Sequence, residues 1–225
     1  MITFRPMIKH ITLIVLAVFA LTLSAQTLKA ESLNKRINEG IEILASKQKS
    51  QNPMPAALLA KAKGIAIIEV TRGGIGIGGS GGSGIILTKT ASGGWSAPIA
   101  FNQGGATVGL QLGFDEKKYI YVIMTDEMLQ HFLGDDQFNF DAKATGTAGP
   151  NNVSEIATAP SSIYIYQTSK GAFGGATIGG QWVKADADAN REAYGIAVVT
   201  KEIASGKIPA PASAATLYNL LKLSK

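Results

Sequence analysis

The sequence contains no cysteine, so it can form no disulfide bridge and offers no attachment point for a lipoprotein anchor. It has two histidines, His10 and His131, far apart along the chain. Zinc and other transition metals are held mainly by clusters of cysteine and histidine. We therefore expect no metal site, and we expect no cofactor.

Acidic residues are missing from a long central stretch. Between Val70 and Phe114 the only charged residues are Arg72 and Lys89, whereas residues 115–141 hold seven acids and two lysines. This uneven distribution predicts a polarised surface. Because the chain has no arginine-rich run and no alternation of basic and aromatic residues, we expect no nucleic-acid partner.

The first thirty residues have the pattern of a secretory signal peptide. Arg5 and Lys9 precede a thirteen-residue apolar stretch at 11–23, which is too short to cross a bilayer comfortably. We predict that residues 1–30 are a signal peptide and that the mature protein is periplasmic or secreted, with peripheral membrane association as one possibility. An uncleaved membrane anchor is the alternative.

Cleavage is predicted after Ala25 or Ala30. Loss of residues 1–30 lowers the net charge from +5 to +2. The remaining residues, 31–225, are numerous enough to bury a core without disulfides.

Glycine is the most distinctive residue that is present. Residues 73–84 contain eight glycines, and Gly74, Gly76 and Gly78 would share one face of a strand. Such a bare face admits another backbone, an aromatic ring or a ligand. Trp95 and Trp182 are candidates to cover glycine faces.

Apolar periodicity predicts several helices. Residues 31–48 place Leu33, Ile37, Ile41 and Leu44 on one stripe, which fits either a helix packed on the core or an interfacial membrane helix. Further helices are expected at 56–63 closed by Gly64, from a capping Asp126 to Gly134, and near the C-terminus around 217–223.

Alternation and turn signals predict a mostly antiparallel sheet. Strands are expected at 65–70, at the glycine block 73–84, and at 85–89, 108–114, 119–124, 163–167 and 194–200, with turns at Ser92-Gly93-Gly94 and Gln103-Gly104-Gly105. We predict a single β-rich α+β domain of glycine-rich strands, with N-terminal helices and a few short helices.

Catalytic and ligand motifs fail when their context is considered. The spacing Gly76-x-Gly78-x-x-Gly81 is followed by a strand instead of the helix that a dinucleotide site needs. Ser80 lies in a nucleophile-like Gly-x-Ser-x-Gly, but the wrong element follows it. Asp186-x-Asp188-x-Asn190 begins like a calcium loop and lacks its later ligands, which favours a polar turn. We predict no catalytic residues and no enzyme activity.

Ordered motifs cover nearly all of residues 31–205. They are residues 55–68, the glycine block at 73–84, Gly94-Trp95-Ser96-Ala97-Pro98, residues 109–113, 122–125, 148–150 and 171–180, Asp188-x-Asn190, and Tyr194-Gly195. Together these motifs resemble the SYLF domain family of lipid-binding proteins.

The resemblance implies a β-rich α+β domain over 31–225 without established enzymatic activity. For eukaryotic members it implies binding to phosphoinositides, which are derivatives of phosphatidylinositol, and association with actin patches. An exported protein would not meet cytoplasmic actin. What carries over is then affinity for anionic lipid head groups, or the fold alone.

A lipid site needs cations for phosphate and apolar groups that enter the interface. Lys61, Lys63 and Arg72 flank the acid-free glycine region and are the candidate head-group cations, and Ile75 and Ile77 are the candidate apolar contacts. In the alternative interpretation the lysines are solvated helix ends and the glycines serve strand packing.

Three functions compete at this point. The leading hypothesis is an exported, envelope-associated, non-catalytic protein that binds anionic phospholipid or a membrane surface. The second is a structural or scaffolding envelope protein that contacts a protein partner through its glycine-rich sheet. The third, a hydrolase using Ser80 and His131, is the weakest.

Overall fold

Two strands of 25 residues each dominate the fold. The computed structural model describes residues 32–140, 146–150, 161–168 and 181–222, so the predicted signal peptide and the glycines at 171–180 lie outside the described residues. β1 (Gly64–Thr88) and β2 (Ile99–Ile123) pair antiparallel over almost their whole length. We call this pair the ribbon.

The ribbon joins stretches that were predicted as separate strands. The prediction of a turn at Gln103-Gly104-Gly105 is wrong, since these residues continue β2 and pair with Trp182 and its neighbours on another strand. Glycine usually weakens a strand. Here the paired ladder on both edges of β2 holds the backbone extended.

Glycines allow β1 to bend back so that its second half lies against its first. A Cβ added to Gly82 would lie 2.1 Å from the carbonyl oxygen of Glu69, and one added to Gly84 would lie 2.3 Å from that of Ile67. No side chain fits in such a gap. The bare glycine face at these two positions therefore serves the approach of another backbone.

Four shorter strands join the sheet within the described residues. They are β3 (Phe138–Phe140), β4 (Gly146–Ala148), β5 (Ile163–Thr168) and β6 (Gln181–Ala185). The order is β3-β6-β2-β5-β4, with β1 paired along β2, and every pairing is antiparallel except that of β4 with β5. The predicted α+β class with a mostly antiparallel sheet is confirmed.

Six helices and one 3-10 turn lie among the described residues. They are α1 (Leu33–Gln48), α2 (Ala56–Lys61), α3 (Asp126–Leu133), α4 (Ala187–Tyr194), α5 (Thr200–Ala204), the turn Ala212–Ala214 and α6 (Ala215–Lys222). The predicted terminal helix is confirmed.

Both faces of the sheet are buried. One face, with Phe101 and Tyr121 at its centre, packs against Phe132 of α3 and Ile203 of α5. The other face is covered by apolar side chains of α1, α2 and α6. Because helices cover both faces, strand positions of either parity carry apolar residues.

The first helix packs on the core. Leu33, Ile37 and Leu44 are buried against the sheet, and so are the cationic side chains of Arg36 and Lys47. Of the two alternatives for this segment, the structure supports the core helix. An interfacial helix would present these cations to lipid and water.

Three local predictions are wrong. Gly64 is the first residue of β1 and not a helix cap, because the chain is already extended at Ala62. Thr125, not Asp126, caps α3, since its hydroxyl accepts from the N–H of Met128. The strand predicted at 194–200 is instead the end of α4, a loop and the start of α5.

Candidate functional site

Two lysines lie side by side where β1 begins and ends, and a third is close to one of them in sequence. The backbone of Lys63 lies between two strands, since its N–H donates to Ile123 and its carbonyl accepts from Lys89, both at 2.8 Å. Lys61 is exposed at the end of α2, two residues earlier. The bend of β1 thus brings Lys89 beside Lys63, although 26 positions separate them in sequence.

Trp95 belongs to the same end of the ribbon. A turn at Gly93, which has φ +82°, returns the chain so that Lys89 and Trp95 form an isolated bridge. The Lys89 Nζ lies 4.0 Å from the centre of the indole ring, within the range of a cation–π contact. Burial lowers the pKa of Lys89. We call Lys61, Lys63, Lys89 and Trp95 the basic end.

One carboxylate contacts the basic end. The Asp126 oxygen lies 3.0 Å from the Nζ of Lys63, and both side chains are largely exposed. Exposed ion pairs contribute at most about 1 kcal/mol. A polyanionic surface can therefore compete with Asp126 for this lysine.

Arg72 is not part of the basic end. It lies nine positions beyond Lys63 in β1, roughly 30 Å of extended chain, and its side chain is 8% exposed. Its Nη2 donates to the hydroxyl of Tyr119 at 2.6 Å, while its Nε has no hydrogen-bond partner within the described part of the chain. The structure thus separates Arg72 from the two lysines that were grouped with it.

Ile75 and Ile77 lie in β1, where the pairing with β2 shifts register between them. Their side chains are outside the described part of the structure. Their predicted role as apolar contacts stays a prediction.

Buried polar side chains continue from Arg72 along the same face of the sheet. The Tyr121 hydroxyl donates to Gln103 at 2.9 Å, and the Gln103 amide donates to Gln181. Burial, together with the neighbouring Tyr119, raises the pKa of Tyr121. Tyr121 therefore remains a neutral hydrogen-bonding group, which suits a structural network inside the sheet.

Trp182 covers a glycine, as predicted. It pairs with Gly104 across β6 and β2, and a Cβ on Gly104 would lie 2.4 Å from the indole ring. The prediction was that an aromatic ring could use a bare glycine face. At this position the glycine serves packing.

The motif Asp186-x-Asp188-x-Asn190 organises the start of α4. The Asp186 carboxylate accepts from the N–H of Ala189 at 3.1 Å and from the Arg36 guanidinium at 2.7 Å. Asn190 is buried and exchanges hydrogen bonds with the backbone of Ala100. The polar turn predicted here is a capped helix start that holds α1, β2 and α4 together.

The sequence contains the signals for Lys89 and Trp95, which were not assigned to the site. Ser92-Gly93-Gly94 was recognised as a turn, and a turn there returns the chain beside Lys89. The contact between Lys89 and Lys63 had no such signal, because it depends on the bend of β1.

Two further properties concern the described residues as a whole. None of the helices there combines the length and apolar character that a bilayer span requires. In the same residues, no group of three His, Asp or Glu side chains is arranged to hold a metal ion.

A family model described as "Las17-binding protein actin regulator" (Ysc84) matches residues 104–224, more than half of the chain. Protein YSC84 of Saccharomyces cerevisiae is 28% identical over 207 residues, which is 89% of this chain and 43% of that protein. LAS seventeen-binding protein 3 of the same species is 30% identical over 85% of this chain and 44% of its own length.

A human relative has a similar level of identity. SH3 domain-containing YSC84-like protein 1 of Homo sapiens is 29% identical over 197 residues, 86% of this chain and 57% of the human protein. The chain therefore spans about half the length of the curated relatives it matches.

Proposed function

This chain belongs to the SYLF family of Las17-binding actin regulators, and from that premise we propose that it is a non-catalytic binding protein for anionic lipid head groups. The family description names binding to Las17 and regulation of actin, the relatives' names include LAS seventeen binding and an SH3 domain, and none of these names describes a reaction. A binding role is supported on that ground.

The basic end carries the lipid proposal. Lys61 and Lys63 are exposed, and Lys89 stands over Trp95 beside them. Lysines near an anionic membrane surface contribute about 1 kcal/mol each. Tryptophan is favoured at membrane interfaces because its ring is apolar and its N–H is polar. We assign Lys61, Lys63 and Lys89 to the head groups and Trp95 to the interface.

Arg72 has a different assignment. A side chain that is 8% exposed and hydrogen-bonded to Tyr119 is not placed to meet a head group on the surface. We therefore base the proposal on the three lysines.

Vesicle co-sedimentation across a salt series tests the proposal. Purified residues 31–225 should bind anionic phosphatidylglycerol vesicles, bind phosphatidylcholine vesicles much more weakly, and lose affinity as salt rises. The double variant Lys61→Gln/Lys63→Gln should bind anionic vesicles about thirtyfold more weakly, since two surface cations worth about 1 kcal/mol each are lost.

The matched control is Lys117→Gln/Lys118→Gln. It removes the same charge from β2, where these lysines pair with Val70 and Glu69, well away from the basic end. If both double variants lose affinity equally, net charge governs binding and the assignment to the basic end is wrong. If the unaltered protein binds neither kind of vesicle, the lipid proposal fails.

A protein partner is the second candidate function. The family description and one relative are named for a binding partner, Las17, and this favours a partner-contact role for the fold. Absence of vesicle binding together with capture of a defined envelope protein would support this alternative.

We also propose that the chain is exported and acts in the cell envelope, peripheral on a membrane. The support is the pattern of residues 1–30 described above. N-terminal sequencing of the mature protein from periplasmic and membrane fractions tests it. A mature N-terminus at Met1 in the cytoplasmic fraction would overturn it.

A further inference from the structure

Two large apolar side chains project from one loop. Ile196 is 88% exposed and Val199 is 57% exposed, and these are the exposed large hydrophobic residues among those the structure describes. Single apolar residues on a surface are common. These two lie on one five-residue loop, Gly195 to Val199, where they form an apolar pair open to solvent.

The loop is held in a defined shape. It begins at Gly195, which has φ +108° and whose N–H donates to Arg191 at the end of α4. The N–H of Val198 donates to the carbonyl of Gly195 at 3.1 Å, and the Val198 side chain packs against the core. Because Val198 is turned inward, Ile196 and Val199 are presented outward.

Both ends of this segment are tied to the part of the fold that carries the basic end. The Tyr194 hydroxyl donates to the carbonyl of Pro98 at 2.5 Å, three residues after Trp95. Thr88 directly precedes Lys89, and its hydroxyl donates to the carbonyl of Ala204. The apolar loop and the lysines are therefore linked through neighbouring residues of the ribbon.

Charge around the loop is compatible with an anionic surface. Lys201 and Lys207 are exposed beyond it, and Gly206, next to Lys207, lies against Thr90 of the region that follows β1. Two acids lie nearby: Glu192 is exposed on α4, three residues before Gly195, and Glu202 accepts from the N–H of Val199 in the loop backbone.

We propose that Ile196 and Val199 insert into the apolar interface of an anionic bilayer when the basic end meets the head groups. This inference rests on the proposed lipid binding and names the element that enters the membrane. The lysines would then contribute the part of the affinity that falls as salt rises. The two apolar side chains would contribute a part that is lost when they are replaced by polar ones.

The absence of cysteine makes a direct test possible. In Ile196→Cys the fluorescent label NBD attaches to the introduced cysteine alone, and its emission reports transfer of the label from water into lipid. Addition of phosphatidylglycerol vesicles should shift the emission to the blue and raise its intensity. The matched control is Ala106→Cys, an exposed position seven residues along β2 from Ile99. Its label should not respond.

A second measurement is the affinity of Ile196→Ser/Val199→Ser for the same vesicles. We expect a loss of about a hundredfold, because burial of each of the two apolar side chains contributes roughly a tenfold gain in affinity. Both positions are exposed, so the substitution leaves the core intact.

The outcomes separate this inference from the proposal beneath it. If the unaltered protein binds anionic vesicles and the label at position 196 does not respond, insertion by the loop is wrong while lipid binding stands. Equal responses at positions 196 and 106 also overturn the inference. If the unaltered protein does not bind, both the inference and the lipid proposal fall.

Discussion

Arg36 of α1 and Asp186 at the start of α4 form a buried ion pair across 150 positions of sequence. The Nη2 of Arg36 lies 2.7 Å from the Asp186 carboxylate, and Arg36 is 2% exposed. Burial alone would raise the pKa of Asp186, but the hydrogen bonds from Ala189 and Arg36 outweigh it and hold that pKa below its usual value.

We expect Arg36→Ala to destabilise the protein by about 3–5 kcal/mol, because it leaves a buried carboxylate without its cation. Urea unfolding measures the loss. The double variant Arg36→Ala/Asp186→Ala should lose less than the sum of the two single variants, since the charges are coupled.

The control is Arg191→Ala, which breaks an ion pair with Asp188 on the same helix, where both side chains are exposed. Its cost should be below about 0.5 kcal/mol. Equal losses for Arg36→Ala and Arg191→Ala would show that the burial of the first pair has no energetic consequence.

The bend of β1 predicts opposite effects at neighbouring glycines. Gly82→Ala should cost about 2–3 kcal/mol, because the new methyl group would meet the carbonyl oxygen of Glu69. Gly81→Ala, with nothing within 4 Å of the added carbon, should be neutral or slightly stabilising, since alanine is less costly than glycine in a strand. Thermal unfolding distinguishes them, and equal melting temperatures would contradict the bend.

These glycines also mark the limit of the sequence analysis. Period-two spacing predicted a bare face at Gly74, Gly76 and Gly78, whose surroundings lie outside the described part of the structure, whereas the backbone contacts are seen at Gly82 and Gly84. Trp182 was rightly expected to cover a glycine. Three adjacent stretches of β1 were predicted as strands, but their continuity does not follow from the local sequence. The local glycine content predicts breaks in the strand. The pairing with β2, which keeps β1 continuous, is a long-range contact that the local sequence does not reveal.

The site was predicted in part for the same reason. Lys61 and Lys63 lie close together in sequence, so their proximity could be predicted without knowledge of the fold. Arg72 was grouped with them by its place beside the glycines, but a straight run of β1 carries it away and buries it. Lys89 reaches Lys63 only through the bend.

Removal of the carboxylate at the basic end should strengthen lipid binding. Asp126→Asn frees Lys63 from its partner at 3.0 Å, and we expect about two- to fivefold tighter binding to phosphatidylglycerol vesicles at low salt. Glu69→Gln is the control, because it frees Lys118 far from the basic end. If Asp126→Asn binds no better than the control, Lys63 does not contact the head groups.

Lys47 predicts an unusual dependence of stability on pH. Burial lowers its pKa from 10.5 to about 8, although its Nζ donates to the carbonyl of Asn52 at 2.5 Å and lies 4.4 Å from the ring of Tyr166. Between pH 8 and 10.5 the unfolded chain keeps a proton on Lys47 that the folded chain has lost. Stability should therefore rise with pH in that window.

The expected gain in the free energy of unfolding from pH 8 to 9.5 is roughly 1–2 kcal/mol. Tyrosines set the upper limit of this pH window. Burial raises the pKa of Tyr218 to about 12. Tyrosines in the unfolded chain ionise near pH 10, so above that pH their ionisation favours unfolding. Lys47→Met keeps the length and apolar stem of the side chain and removes the titration. Urea unfolding of both proteins at pH 7.5, 8.5 and 9.5 should give a rising curve for the unaltered protein relative to the variant. Parallel curves would mean that Lys47 stays charged in the folded state, and that its contacts with Asn52 and Tyr166 fully offset its burial.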